Sequence, residues 1–261
     1  MGACIQRSFL WTPITVLHLQ QNMRINIHDE AEAQFAKWQL EVGQGKHTDE
    51  ACNISLPDHF RCRESTVASL IDTIYPGVET PNHPSLYFSE HTILSCKNDN
   101  VDNLSKAVLD RFPGAARVFH SADFTPTSEQ SGHEDAMLNY PIEYLNKING
   151  SGLPLAKLDL KLSSPRPVMI MKNLDLSHGV CNRSRGILTR CSNRVLEVRL
   201  LTGQHAGKTV FIPRVYNQPT EDQSLFKFNR KHFPVRLCFS MTINKSQDQT
   251  VKHVGLGFGV Y

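Results

Sequence analysis

Apolar side chains recur at helical spacing in three segments of the first half of the chain. Asp29 and Glu32 form a candidate N-terminal cap for a helix that runs to about Val42. A second helix is predicted from about Ser65 until Pro76-Gly77, and a third after Lys97 until Pro113-Gly114. The inward positions are Phe35, Trp38 and Val42 in the first, Val67, Leu70, Ile71 and Ile74 in the second, and Val101, Leu104, Val108 and Phe112 in the third.

The third helix is flanked by two apolar runs that read as strands, Tyr87–Ser95 and Val118–Ser121. Strand, helix and strand at this spacing predict a βαβ unit, and therefore a parallel sheet of the α/β class.

The pattern changes after Asn149-Gly-Ser-Gly152, where short β-like runs alternate with turn residues. Such spacing predicts a small antiparallel barrel. The runs are Pro167–Met171, Gly186–Thr189, Val195–Leu201 and Thr209–Pro213. Core-strand patterns then return at Val235–Met241 and Val254–Leu256.

The amino-acid composition narrows the possible class of protein only slightly. A hydrophobic content of 40% and a charged content of 20% are ordinary for a globular protein, and a net charge of +3 neither requires nor excludes nucleic acid. No apolar run approaches the length of a membrane span, so no membrane partner is expected. Seven scattered cysteines without a Cys-x-x-Cys pair indicate reduced, intracellular thiols, and we predict no metal site.

The segment Thr242–Thr250 is the first candidate for chemistry, because it directly follows an apolar strand. Polar loops at the carboxyl edge of a sheet are typical ligand sites in α/β proteins. The side chains of Thr242, Lys245, Ser246 and Gln247 can all bond to phosphate oxygens or a ribose. The alternative from composition is a solvated loop.

Arg24 is the second candidate, since an arginine fork can clamp a terminal phosphate. A lone arginine is more often a surface residue or an ion-pair partner, and that alternative stays open.

A third candidate is the basic cluster that ends the β-rich region. Lysines and arginines interleaved with phenylalanines are the composition that holds single-stranded nucleic acid. The alternative is a strand pair with one basic face and one phenylalanine face. The cluster comprises Lys227, Arg230, Lys231, His232 and Arg236, with Phe226, Phe228 and Phe233.

These 261 residues contain no Gly-x-x-x-x-Gly-Lys-Ser/Thr loop and no strand that ends in paired acids for Mg²⁺. They are not expected to bind and cleave a nucleotide by themselves.

Several segments in order resemble the Pif-type (petite integration frequency) DNA helicases, especially their Helitron-like branch. The matching segments span nearly the whole chain. They are Leu17-His-Leu-Gln-Gln-Asn-Met-Arg24, Thr92–Val101, Leu109–Gly114, Leu153-Pro154, Pro167–Asp175, Cys181-Asn-Arg-Ser-Arg185, His205–Arg214, Phe233–Arg236 and Met241–Thr250.

The resemblance implies the C-terminal part of a 5′–3′ helicase: a RecA-like second motor domain interrupted by a small Src-homology-3-like barrel. The corresponding domains are 1–150, 151–230 and 231–261. By this resemblance Arg24 reaches the nucleotide between two motor domains. ATP and Mg²⁺ are the implied cofactors, and single-stranded DNA is the implied partner. The residues lining the nucleotide and DNA clefts would be Thr242, Lys245, Ser246, Gln247 and Gln249, with Arg230, Lys231 and Arg236 as further DNA contacts.

Two positions depart from the family pattern. Asp248 replaces a glycine, and its carboxylate would repel phosphate. Arg183-Ser184 replaces Gly-Thr.

We therefore expect a truncated, intracellular helicase, nuclear rather than mitochondrial, which binds single-stranded DNA and does not hydrolyse ATP alone. The alternatives are a half-enzyme that complements a separate chain carrying the first motor domain, a non-enzymatic DNA- or protein-binding module, and a fragment without stable function.

Overall fold

The computed structural model describes residues 8–11, 13–17, 29–47, 49–50, 53–80, 83–84, 86–124, 140–150, 152–161, 166–219, 228–247 and 249–257. The chain divides into two compact units, Met1–Arg61 and Cys62–Tyr261. The helices are α1 (Glu30–Gly43), α2 (Val67–Ile74), α3 (Tyr87–Glu90), α4 (Asn98–Arg111), α5 (Ile142–Leu145) and α6 (Ile243–Ser246).

The strands are β1 (His91–Ser95), β2 (Ala116–His120), β3 (Ala122–Phe124), β4 (Lys157–Lys161), β5 (Arg166–Ile170), β6 (Arg185–Cys191), β7 (Val195–Leu200), β8 (Thr209–Pro213), β9 (Val215–Asn217), β10 (Asn229–His232), β11 (Val235–Leu237), β12 (Ser240–Thr242) and β13 (His253–Leu256).

The first unit contains α1 and two short 3-10 turns, Phe9–Trp11 and Asp58–Phe60. The predicted cap is confirmed: the Asp29 carboxylate accepts the backbone N–H groups of Ala31 and Glu32 at 3.0 and 3.2 Å. Such caps satisfy donors that have no partner inside the helix. Phe35 packs against Trp38 and Phe60, with ring centroids 5.8 and 5.1 Å away.

The second unit begins with an α/β part whose sheet has the order β12–β1–β13, with both neighbours parallel to β1. The predicted helices α2 and α4 are confirmed, and their inward residues pack on this sheet. The packed residues include Leu70, Ile71, Ile74, Phe88, Ile93, Leu104, Val108, Leu109, Phe112 and Phe239.

The predicted pairing of the first two strands is wrong. β2 pairs antiparallel with β4, from Ala116↔Lys161 to His120↔Lys157, and not with β1. Strands inside a parallel sheet are buried on both faces. β1 meets this condition, whereas β2 buries Phe119 and exposes its neighbours. The parallel neighbours of β1 instead come from the last part of the chain.

Two predicted strands are also divided differently. Tyr87–Glu90 forms the helical turn α3, in which Ser89 and Glu90 donate their backbone N–H groups to Leu86 O, so β1 starts only at His91. The run Val235–Met241 breaks at Cys238-Phe239. β11 pairs antiparallel with β5, and β12 pairs parallel with β1, so this one run links two sheets.

The β-rich part contains a five-stranded antiparallel sheet with the order β11–β5–β6–β7–β8. The four short runs predicted from sequence form β5 to β8. Within the described residues, β8 and β11 are edge strands, and the predicted closed barrel is not found. A three-stranded sheet β3–β10–β9 and the pair β2–β4 complete this part. Its core includes Phe119, Leu158, Leu160, Val168, Ile170, Leu188, Leu196, Val198, Leu200, Ile212, Phe233 and Val235.

The predicted domain boundaries near residues 150 and 230 remain predictions. Of the helices described here, none has the length and apolar character that a bilayer crossing requires.

Candidate nucleic-acid interface

The candidate segment Thr242–Thr250 begins at the carboxyl edge of the parallel sheet. β1 ends at Ser95, directly beside Thr242 at the end of β12. Ser95 Oγ donates to Gly257 O at 2.8 Å, which holds the chain that leaves β13 at the same edge. Ligands of open α/β sheets bind at this edge, so the segment lies where the strand pattern predicted.

The positive charge of Lys245 is destabilised at this edge of the sheet. Its side chain is partly buried on α6, and Nζ lies 3.7 Å from Met171 Sδ. Burial lowers the pKa of Lys245, and the positive charge of Arg236 lowers it further. Within the described residues the ammonium makes no ion pair, and an anion placed here would relieve both effects.

Arg236 stands on the other side of the same cavity. Its guanidinium makes an ion pair with Asp102 and donates to Asn98 Oδ1 at 3.2 Å, both on α4. Burial raises the pKa of Asp102, and Arg236 opposes that shift. Arg236 Nε is buried without a hydrogen-bond partner among the residues described.

The cavity between these groups is small, with a volume of about 10 Å³, so an anion would contact them at its mouth. Its polar lining comes from Asn98, Arg236, Thr242 and Lys245, and its apolar lining from residues such as Met169 and Met241. Thr242 precedes α6 without capping it through its hydroxyl. The cavity therefore offers two cations, a hydroxyl and an amide, which is a suitable donor set for a phosphate group.

The remaining predicted residues of this segment lie around the cavity. Ser246 Oγ donates to Ile243 O at 2.7 Å inside α6, and Gln247 is exposed after it. Gln249 donates its backbone N–H to Ser246 O, while its Oε1 atom is buried without a partner in the described part of the chain. Asp248 lies outside the described residues, and so does Arg24.

Arg230, predicted as a possible DNA contact, is buried inside the β-rich part. Its guanidinium binds Asp123 with bonds of 2.8 to 3.2 Å, and the two side chains are 0% and 1% exposed. It also donates to the carbonyl oxygens of Leu145, Ile148 and Pro154. The geometry leaves this arginine no exposed donor.

The other members of the predicted basic cluster divide between the two faces of β10. Lys231 points outward, with Nζ 4.9 Å from the ring centroid of Tyr216. His232 is buried, and burial together with Arg214 lowers its pKa to about 4. Phe228 and Phe233 are buried in the cores. Lys227 and Phe226 lie outside the described residues.

Two features of this region were not found from the sequence. Asp102 follows Asn98 by one helical turn, and only the structure shows that both contact Arg236 on β11. Arg183 adopts φ +72°, the one left-handed non-glycine residue among those described. The Pif-type helicases that the sequence resembles usually have a glycine at this position, which is typical of a backbone with positive φ. Within the described residues, no three His, Cys, Asp or Glu side chains are placed to hold a metal ion.

Comparison with known proteins matches this arrangement to one class. The crystal structure of Pif1 helicase from Candida albicans superposes with a TM-score of 0.52 at 19% identity, covering 87% of this chain and 48% of that chain. At this identity the likeness shows the fold alone, which is a mixed α/β fold.

Sequence comparison finds similarity to Pif1 helicases. The family model described as DNA helicase Pif1, 2B domain, matches residues 143–191. ATP-dependent DNA helicase PIF1 of Homo sapiens is 30% identical over 171 residues, which are 64% of this chain and 23% of that protein. The Danio rerio protein of the same name is 24% identical over 213 residues, or 76% of this chain and 30% of that protein. The chain is thus similar to the Pif1 family of DNA helicases, and it spans less than a third of the length of these two relatives.

Proposed function

We propose that this chain supplies the second, RecA-like motor domain of an ATP-dependent 5′–3′ DNA helicase, interrupted by a Src-homology-3-like β region. In this proposal the carboxyl edge of the parallel sheet binds the phosphate backbone of single-stranded DNA. The observation that carries the proposal is the partly buried ammonium of Lys245, which stands beside Arg236 at the end of β12.

The chemistry favours a phosphate at this position. Lys245 carries a cation whose burial is costly, and a phosphate oxygen would return the lost solvation as a charge-assisted hydrogen bond. Thr242 can add its hydroxyl, and the second cation, Arg236, is held by Asp102. Gln247 and Gln249 would line the path of the strand beyond this point.

ATP is the nucleotide named for the human and zebrafish relatives. Thr242 and Lys245 fit one phosphate group, and the proposal extends to nucleotide contact by Arg24 and Ser246. The described residues do not fit Mg²⁺, because they offer no acid cluster and Asp102 is occupied by Arg236. We assign no step to that ion, and we expect no ATP hydrolysis by this chain alone.

A binding assay tests the DNA contact. The anisotropy of a labelled oligothymidylate, titrated with the 261-residue chain at several salt concentrations, gives both affinity and salt slope. Lys245→Ala is expected to weaken binding and to lower the slope by about 0.7, the value for one single-strand phosphate contact. Lys37→Ala removes an equal charge from the exposed face of α1 and should leave the slope unchanged. Equal behaviour of the two variants would refute the assignment.

A mixing experiment tests the motor assignment. A separate chain that carries a first motor domain with a phosphate loop is expected to show DNA-stimulated ATP hydrolysis only in the presence of this chain. Arg24→Ala should remove the stimulation without changing oligothymidylate binding. ATP turnover by the 261-residue chain alone would contradict the proposal, and in that case the nucleotide site must be sought within it.

A further inference from the structure

The hairpin of β6 and β7 carries more positive than negative charge. From Arg185 to Leu200 it contains four arginines and a single acid, Glu197, and the first of these arginines is buried. The turn of this hairpin, Ser192-Asn193-Arg194, is fixed by Ser192 Oγ, which accepts the N–H of Val195 at 3.0 Å. The turn of this positively charged hairpin therefore has a defined conformation.

Two arginines from other strands converge on Asn193 at the tip. Arg117, on β2, donates through Nη2 to Asn193 Oδ1 at 2.7 Å. Arg214, between β8 and β9, donates through Nε to the backbone oxygen of Asn193 at 2.8 Å, and through Nη1 to His120 O at 2.6 Å. One asparagine thus accepts a hydrogen bond from each of two guanidinium groups.

Each guanidinium also lies over an aromatic ring. Arg117 is 4.9 Å from the ring centroid of Phe119, and Arg214 is 4.6 Å from that of Phe233. The two rings meet edge to face, with centroids 5.8 Å apart. Such contacts fix the planes of the guanidinium groups, so their remaining N–H donors point in set directions.

No carboxylate compensates these charges in the described part of the chain. Burial alone lowers the pKa of Arg214, and its neighbour His232 is itself buried with an unpartnered Nε2 atom. Elsewhere in the described part, Arg230 is bound to Asp123 and Arg236 to Asp102. An uncompensated pair of like charges is unfavourable unless an anion joins it.

We propose that Arg117 and Arg214 form an anion site that binds a phosphate of a nucleic-acid strand, separate from the Lys245 cavity. The free donors are Nε and Nη1 of Arg117 and Nη2 of Arg214, since the structure shows no partner for them within the residues described. A nucleic-acid strand fits better than a carboxylate-bearing peptide, because the surrounding cations attract the partner of higher linear charge density. This inference rests on the proposed function.

The salt dependence of binding tests the site in the full chain. Arg117→Gln should lower the slope for oligothymidylate by about 0.7, and Arg117→Lys should keep the slope at a reduced affinity. Arg214→Gln should act in the same direction, and a thermal melt will show whether it also loosens the hairpin. Arg63→Gln removes an exposed arginine outside this region and is the matched control.

The outcomes separate this inference from the function on which it rests. If Lys245→Ala lowers the slope and Arg117→Gln does not, the anion site is refuted while the proposed function stands. If the decreases in salt slope caused by Lys245→Ala and by Arg117→Gln are additive in the double variant, the sites are independent and both assignments hold. Failure of the unaltered chain to bind oligothymidylate overturns both. Competition by polyglutamate as strong as that by polyphosphate would identify an acidic peptide as the partner and would overturn the nucleic-acid assignment.

Discussion

Arg230 and Arg236 lie six positions apart on successive strands, yet the structure gives them opposite surroundings. Arg230 is fully buried against Asp123 and three backbone carbonyls. Arg236 is only partly buried, and its ion pair with Asp102 lies at the edge of the Lys245 cavity. The same residue type thus serves as an internal crosslink in one place and as part of a binding surface in the other.

The difference shows what makes a cation available to a ligand. An arginine with all its donors satisfied inside the protein contributes to stability alone. A cation at a cavity, with donors or charge left uncompensated, can gain energy from an anion. The predictions below test each side of this contrast, in order of decreasing expected effect.

Removing the internal crosslink should give the largest effect. Arg230→Met leaves the buried Asp123 charge and the carbonyl groups of Ile148 and Pro154 without their arginine donor, so the free energy of unfolding should fall by roughly 3–5 kcal/mol. Urea denaturation measures this loss. Arg190→Met, at an exposed position on β6, should change stability by about 0.5 kcal/mol or less. Similar losses in the two variants would show that Arg230 is not a crosslink.

Acid should weaken the same region through His232. Its pKa is about 4 in the fold against an ordinary 6.5, so between these values the unfolded chain binds more protons. The stabilisation is therefore complete above pH 6.5 and is lost as pH falls toward 4, by up to roughly 1.4 kcal/mol per pH unit.

Denaturation curves at several pH values, with His232→Gln subtracted from the unaltered chain, isolate this contribution. The exposed His59→Gln is the control. A difference curve that is flat between pH 4 and 6.5 would contradict the burial of a neutral His232.

The affinity of the Lys245 cavity for single-stranded DNA should decrease at alkaline pH. Because the pKa of Lys245 is lowered, its charge is lost at a lower pH than that of an ordinary lysine. Single-stranded DNA affinity should therefore fall by roughly tenfold as the ammonium deprotonates. Lys245→Arg keeps its charge throughout and should flatten the profile measured by anisotropy. An identical fall in Lys245→Arg would mean that another group titrates.

The smallest expected effect concerns Arg183, whose backbone conformation is energetically unfavourable. Arg183 has φ +72°, which is unfavourable for a side chain with Cβ by about 1–2 kcal/mol. Arg183→Gly should raise the free energy of unfolding by about 1 kcal/mol or less, since glycine also gains freedom in the unfolded chain. Asn182→Gly, at an ordinary backbone position, should lower it instead. A loss of stability in Arg183→Gly would mean that the side chain outweighs the strain.

The sequence predicted the local elements well. Periodicity and caps located α1, α2 and α4, and turn residues separated β5 to β8. It could not predict the neighbours of β1, because strand periodicity reports burial and carries no information on distant partners. For the same reason the burial of Arg230 was hidden: its acid, Asp123, precedes it by 107 residues.

The candidate site was predicted in part. The order of strand and polar loop placed Thr242 and Lys245 at the sheet edge, and the structure brings Arg236 to them. Arg236 could not be distinguished from Arg230 by sequence, since both follow β-like residues in one basic stretch. The acids that distinguish them lie on α4 and β3, far away in the chain.

The strand order of the parallel sheet also determines when this sheet can form during synthesis of the chain. β1 lies between β12 and β13, and both are synthesised after all five strands of the antiparallel sheet. During translation, β5 to β8 can pair as local hairpins, while β1 and the apolar faces of α2 and α4 must wait for the final strands. Late closure of long-range contacts is slow and leaves apolar surface open to association. The nascent chain is therefore most vulnerable to aggregation just before residues 240–256 emerge.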